Sequence, residues 1–275
     1  MRRRLVVNAD DLGLHPRIDE GILEARARGI LTSASLLVTG RSAAEAARAA
    51  KAAGLGVGVH LCLVGGLEPA LPAAQVPSLA PAPDGRFRGS WQALVKAWAL
   101  GQVRESEARA ELQAQVRRAR ELGAEVDHLD AHQHVHALPG LAGVVRELAD
   151  EERLPLRWPL ERPRPHGLKA ALLAGLLLAA RRPVRSLELV GLSRSGALDE
   201  PALLEVLDAL PPGELELELI CHPGRDPGVV PEDPAWRYGW EKELAALTSE
   251  AARRKVEALG LELTTYGRLF TAAPA

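Results

Sequence analysis

Short apolar runs alternate along this chain with longer stretches whose apolar residues recur at helical spacing. Arg4 to Asn8 reads as a buried strand, and Ile18 to Arg28 follows as an amphipathic helix stopped by Gly29. The alternation continues with a strand over Thr32 to Val38, a helix over Ser42 to Ala53 and a strand, GVGVHL, over Gly56 to Leu61. Further helices are predicted over Trp91 to Leu100, Arg104 to Leu122, Leu138 to Asp150, Leu168 to Arg181, Glu200 to Leu210 and Glu241 to Leu259. Strands fall between them at Glu125 to Ala131, Leu156 to Trp158, Ser186 to Val190, Glu214 to Cys221 and Leu261 to Thr264. Repeated βα units without a linker imply one α/β domain with a parallel sheet, a TIM-like (β/α) barrel in plan. In one strand, however, Glu214, Glu216 and Glu218 alternate with leucines, the mark of a polar face. The barrel is therefore expected to be distorted or incomplete, with a partly open edge.

One segment carries no period. Residues 62–89 hold Pro69, Pro72, Pro77, Pro81 and Pro83, and loops of that length in a compact domain are usually functional or disordered. The expectation is a lid over a ligand, or an arm that meets a neighbouring subunit.

Composition narrows the classes. A net charge of −2 and a pI near 6.5 give no electrostatic reason to propose nucleic acid or an anionic membrane as partner. The start, MRRRLVVNADD, has the basic end of a signal peptide but an apolar run of only Leu5 to Val7. Ala170 to Ala180 is far shorter than the ~20 residues that span a bilayer. Cys62 and Cys221 make no disulfide framework and read as packing residues. A soluble cytoplasmic protein is the expectation, with a homo-oligomer such as a dimer left open.

Four polar motifs then stand where predicted strands run out, which in βα folds is the active-site rim. They are Asn8-Ala9-Asp10-Asp11, His60, the stretch DHLDAHQHVH over Asp127 to His136, and Cys221-His222-Pro223-Gly224. The third holds four of the chain's eight histidines. Adjacent residues on a strand face opposite ways, so Asp10 and Asp11 can serve one site only if the chain leaves the strand there. On a strand His128 and His132 lie roughly 13 Å apart and cannot easily share an ion, and His132, nearer the strand's end, is the better ligand. His128 then reads as a wall residue, Asp130 as a carboxylate that orients an imidazole, and His134 and His136 as hydrogen-bonding or solvated. With Asp11 and His60, His132 makes a set of one carboxylate and two imidazoles with positions left for water, the catalytic form of a metal site. Such donors suit zinc, and the carboxylate and water also suit magnesium. His222 is a candidate on a turn. Trp236, Tyr238 and Trp240, spaced by two in a chain with 3% aromatics, could stack a sugar or fill a core patch.

Taken together, VNADDLGL, GVHL, DHLDAHQHVH and CHPG make the chain resemble the YdjC-like carbohydrate deacetylases, which include chitooligosaccharide deacetylase. The resemblance implies a distorted (β/α) barrel and a divalent metal, Mg²⁺ or Zn²⁺, held by Asp11, His60 and His132. It further implies Asp10 as the base, His222 as the acid and a small N-acetylated sugar as substrate. Leu12 and Cys62 depart from the family's pattern. Two rivals stand beside it: a metallohydrolase acting on a phosphoester or cyclic amide, and a non-enzymatic metal- or sugar-binding protein.

Overall fold

In the computed structural model, which describes residues 2–81, 83–138, 140–161, 183, 185–228 and 237–271, strands and helices alternate. They run β1 (Arg3–Leu12), α1 (Pro16–Arg28), β2 (Ser33–Leu36), α2 (Ala43–Ala52), β3 (Gly56–Leu61), α3 (Trp91–Ala99), α4 (Glu105–Glu121) and β4 (Val126–Ala131). After these come α5 (Leu141–Glu152), β5 (Glu188–Val190), α6 (Glu200–Asp208), β6 (Leu215–Cys221), α7 (Trp240–Thr248), α8 (Glu250–Ala258), β7 (Glu262–Leu263) and α9 (Tyr266–Thr271). The helix expected over Leu168 to Arg181 lies outside the described residues, as does Trp236. The helix predicted over Glu241 to Leu259 is two, because Ser249 accepts from the Ala252 N–H at 3.0 Å and caps α8.

Every strand pair is parallel, in the order β4-β3-β2-β1-β6-β5, with β7 on β1. The two ends of this sheet are joined through residues 156–161, where Leu156 bridges Leu129 and Glu161 bridges Leu189. Prolines 155 and 159 flank that stretch and lack N–H donors, which keeps the predicted strand at Leu156 to Trp158 down to an isolated bridge. The result is a curled, incomplete parallel barrel whose two end strands are linked only by isolated bridges, as the expectation of a distorted barrel had it.

The two faces of the sheet differ sharply. Outward residues such as Leu5, Val7, Ala9, Leu217 and Leu219 join the main apolar core. The β1–β6 register, with Val6 opposite Glu218 and Asn8 opposite Ile220, turns Glu218 to the same side as Asn8 and Asp10, into the lumen. There Arg157 fills the space. Its guanidinium donates to both oxygens of Asp10 (2.8 Å each) and to Glu218 (2.8 Å from Nε), and forms an ion pair with Asp130 (2.7 Å). The Tyr266 hydroxyl donates to the other Glu218 oxygen. This corrects the reason given for an open edge. β6 lies inside the sheet between β1 and β5, and its glutamates serve different ends: Glu218 is buried in an ionic network, while Glu216 is exposed and pairs with Arg4.

The Pro-rich segment is bolted down. α4 presents Glu107, Glu111 and Gln115 in one stripe toward it. Ser78 N–H donates to Glu107 (2.8 Å), Ala70 and Leu71 N–H to Glu111 (2.7 and 2.9 Å), and Gln115 bonds both the N–H and the carbonyl of Cys62. Val76, Leu79 and Phe87 are buried in the main core. The segment is thus tied to α4 and to the core at several points along its length.

Candidate active site

β1 ends in a bulge. Between Ala9 and Leu12 its register against β2 slips by one residue, and Asp11 takes a left-handed φ of 67°. One extra residue re-aims the side chains, so Asp10 and Asp11 reach one cavity although a regular strand would part them. Asp tolerates this backbone region better than most residues. The turn is clamped from below, where Gly13 N–H donates to Asp19 (2.6 Å) and Ser42 Oγ donates to the other Asp19 oxygen (2.5 Å). Gly13 has φ 91°, and a Cβ there would meet Ala43 Cα at 3.0 Å.

Around Asp11 stand two imidazoles. His132 Nδ1 lies 3.0 Å and His60 Nε2 3.4 Å from Asp11 Oδ1. One ligand atom from each of the three lies within 4.8 Å of the others. His60 Nδ1 faces Asp130 Oδ1 at 2.8 Å, which fixes the ring and turns Nε2 toward Asp11, the arrangement metal-binding histidines use. Burial would lower the His60 pKa, but Asp130, Asp10 and Asp11 outweigh it and hold it well above its usual value. Burial would raise Asp11, yet the hydrogen bonds to His132 and His60 keep it well below the carboxylate range. The raised imidazole reflects the carboxylates around it, surroundings that suit a cation, whereas the lowered Asp11 reflects its two imidazole partners. Asp10, His60 and Asp130 also converge, but Arg157 already bonds both of those carboxylates, so a cation between them would meet a guanidinium. The Asp11-His60-His132 set is the one whose donors suit a divalent ion.

Asp10 and His222 stand beside this set. Asp10 Oδ2 is 3.9 Å from His60 Nε2 and 3.9 Å from His222 Nε2. The His222 backbone N–H donates to Glu243 at 2.5 Å, and its ring packs edge-on against Tyr238 (4.7 Å between centroids). Gly21 of α1 permits a close crossing beneath CHPG: a Cβ on it would fall 2.3 Å from Gly224 Cα.

The other expected residues separate. His128 is buried in the lumen, stacked on Tyr266 (4.2 Å) and bonded to Asp127 (2.6 Å), away from the Asp11 set. Gly58 makes room for it, since a Cβ there would come 2.3 Å from the ring. Gln133 and His134 both have left-handed backbone (φ 50° and 53°), and both line the cavity. Burial holds the His134 pKa well below its usual value, and among the described residues its Nδ1 has no hydrogen-bond partner. His136 is buried, with Nε2 2.8 Å from the Arg157 carbonyl and its pKa pushed down to about 4, chiefly by burial; neutral, it donates there. Trp240 is only 4% exposed and packs on Gly224, so the stacking platform expected of it gives way to the core alternative. Burial pushes the Cys62 thiol up to about 12, in keeping with a packing role.

Arg157 and Trp91 carry no mark in the sequence, and of the described members of the aromatic trio Tyr238 is the one at the cavity. Arg157 sits in an unremarkable run, 147 residues from the aspartate it grips, and nothing local marks it. Tyr238 lines the cavity where its neighbour Trp240 does not. Trp91, at the start of α3, lines it too and is 43% exposed. The cavity measures about 580 Å³, with Asp10, Asp11, His60, His132 and His222 among its lining residues.

A sequence profile described as YdjC-like protein matches residues 4–258. The chain is 32% identical over 271 residues to a carbohydrate deacetylase of Geobacillus stearothermophilus, covering 98% of this chain and 99% of that protein. It is 34% identical over 272 residues to a chitooligosaccharide deacetylase of Klebsiella pneumoniae (strain 342), covering 97% and 99%. Among solved structures it superimposes on an Enterococcus faecalis V583 protein described as a candidate cellobiose-phosphate cleavage protein. That match has TM-score 0.79 and 29% identity and covers 98% of this chain and 99% of the other. The Xyl-CE4 domain of a xylanase from a Trinervitermes trinervoides hindgut metagenome shares the fold, with TM-score 0.50 and 9% identity over 98% and 91% of the two chains.

Proposed function

The chain belongs to the YdjC-like protein family, and from that premise we propose that it is a metal-dependent hydrolase removing N-acetyl groups from amino sugars or short oligosaccharides. One observation carries the reading. A metal-type donor set, Asp11 with His60 and His132, shares a cavity with a second carboxylate and a second imidazole, Asp10 and His222, that the set does not use. A binding protein has no need of that second pair.

A divalent ion at Asp11, His60 and His132 supplies Lewis-acid polarisation of an acyl oxygen and makes water more acidic. Metal analysis of the purified protein distinguishes magnesium from zinc there. Asp10 accepts the proton of the attacking water. Arg157 holds that carboxylate by two hydrogen bonds, so its orientation is fixed before substrate arrives. His222, whose Nε2 lies 3.9 Å from Asp10, protonates the departing amine. Asp130 holds the His60 ring and, through Arg157, shares in fixing Asp10. The test is acetate release from N-acetylated chito-oligosaccharides, with and without chelator, beside phosphoester and lactam substrates. Turnover of acetylated sugars that chelation abolishes is expected. Turnover of only a phosphoester or a lactam, or activity surviving exhaustive chelation, overturns the reading.

A further inference from the structure

Trp91 is exposed where the other tryptophans in the described residues are not. Trp158 and Trp240 are buried and Trp98 packs against the core, while Trp91 stands 43% exposed at the cavity wall. Its position is fixed. Ser90 caps α3 by accepting from the Ala93 N–H (3.3 Å), and the Trp91 N–H donates to Gln133 Oε1 (3.1 Å). Gln133 sits on the left-handed backbone that directly follows His132, so the same strained turn that presents a metal-type ligand also ties down this helix start. The same cavity is lined by Gln92, Gln133 and Ser195. An apolar ring face beside amides and a hydroxyl is the chemistry that recognises a pyranose. The C–H face of the sugar lies on the aromatic plane, and its hydroxyls bond the polar neighbours.

We infer that Trp91 is the ring-stacking face of a carbohydrate subsite, held at the cavity wall by Gln133 and engaging the sugar rather than the acetyl group. This rests on the deacetylase reading for the substrate class. A stacking residue stabilises substrate and transition state alike, so its loss raises KM and leaves kcat in place.

The test compares wild type with Trp91→Ala and Trp91→Phe on N,N′-diacetylchitobiose, measuring metal content, kcat and KM. A parallel titration follows tryptophan fluorescence as the same disaccharide is added to the full-length protein. Trp91→Ala should raise KM about 3- to 10-fold with kcat and metal content unchanged. Trp91→Phe, which keeps a ring, should fall between Ala and wild type, and the fluorescence change seen in wild type should vanish in both variants. Unchanged KM in Trp91→Ala, a fluorescence response that persists in Trp91→Phe, or no binding of the disaccharide to wild type overturns the inference. If wild type binds the disaccharide through Trp91 but releases no acetate from any acetylated sugar, the subsite stands and the deacetylase reading falls.

Discussion

Asp10 and Asp11 are neighbours with unlike surroundings, and the difference makes them separable. Asp11 faces two imidazoles, whereas both oxygens of Asp10 are gripped by Arg157. Asp11→Asn should lower metal content and activity together. Asp10→Asn should leave metal content near wild type while kcat falls about 10²–10⁴-fold, the range for a lost general base. Metal analysis and kinetics on both variants check this, and a metal-free or fully active Asp10→Asn protein would refute the assignment. Below them Asp19 offers a pH test. Burial pushes its carboxyl up to about 6 from 3.8, against the hydrogen bonds from Ser42 and Gly13. The folded state thus binds this proton more tightly than the unfolded chain. Its stabilising contribution is full below about 3.8 and is lost as pH rises through about 6. Asp19→Asn does not titrate there, so wild-type stability relative to the variant should fall by about 1 kcal/mol between pH 5 and 7.5 in denaturant unfolding. A flat difference refutes it. The aspartates and His60 were legible as residues because they end strands. The bulge that lets both aspartates serve one cavity was not, since a one-residue slip leaves no signature in an Asp doublet.

At the scale of elements, periodicity located the strands and helices of the first half well, because each βα unit there buries a regular apolar face. Residues 62–89 show no period, so the contacts that anchor them were not legible there. What makes the segment rigid is polar and distant: the carboxylates and amide of α4 bonding backbone N–H groups some forty residues away in the chain, as Ala70 is from Glu111. Glu111→Ala therefore orphans two partly buried N–H donors and should cost about 2–4 kcal/mol of stability, a clear drop in Tm. Metal content should be unchanged at temperatures where the variant is folded. A variant as stable as wild type would show that the two Glu111 bonds add nothing to the hold of Glu107, Gln115 and the buried Val76, Leu79 and Phe87.

For the whole molecule, the βα alternation led to a parallel barrel, and the glutamate-striped strand signalled that it was not an ordinary one. The physical cause lay out of sight. The lumen is filled by a guanidinium among three carboxylates instead of by layers of branched aliphatics, and such a partner can be found only in three dimensions. Arg157→Met should then destabilise strongly, by about 3–5 kcal/mol, because Asp10, Asp130 and Glu218 are left buried without their counter-charge. A Tm within a few degrees of wild type would refute that. The register of β1 has a separate consequence, in time rather than in energy. Its pairing with β2, Asn8 beside Ser33, is available as soon as the first residues are made, but the other partners, β6 at Cys221 and β7 at Leu263, are synthesised near the end. Until then β1 is a bare, apolar, unpaired edge on the ribosome-tethered half-chain, and closing so long a loop is slow. Two nascent chains can meet there before either is complete. Yield in recombinant expression should accordingly respond to slower synthesis or lower temperature more than to any change that stabilises the finished barrel.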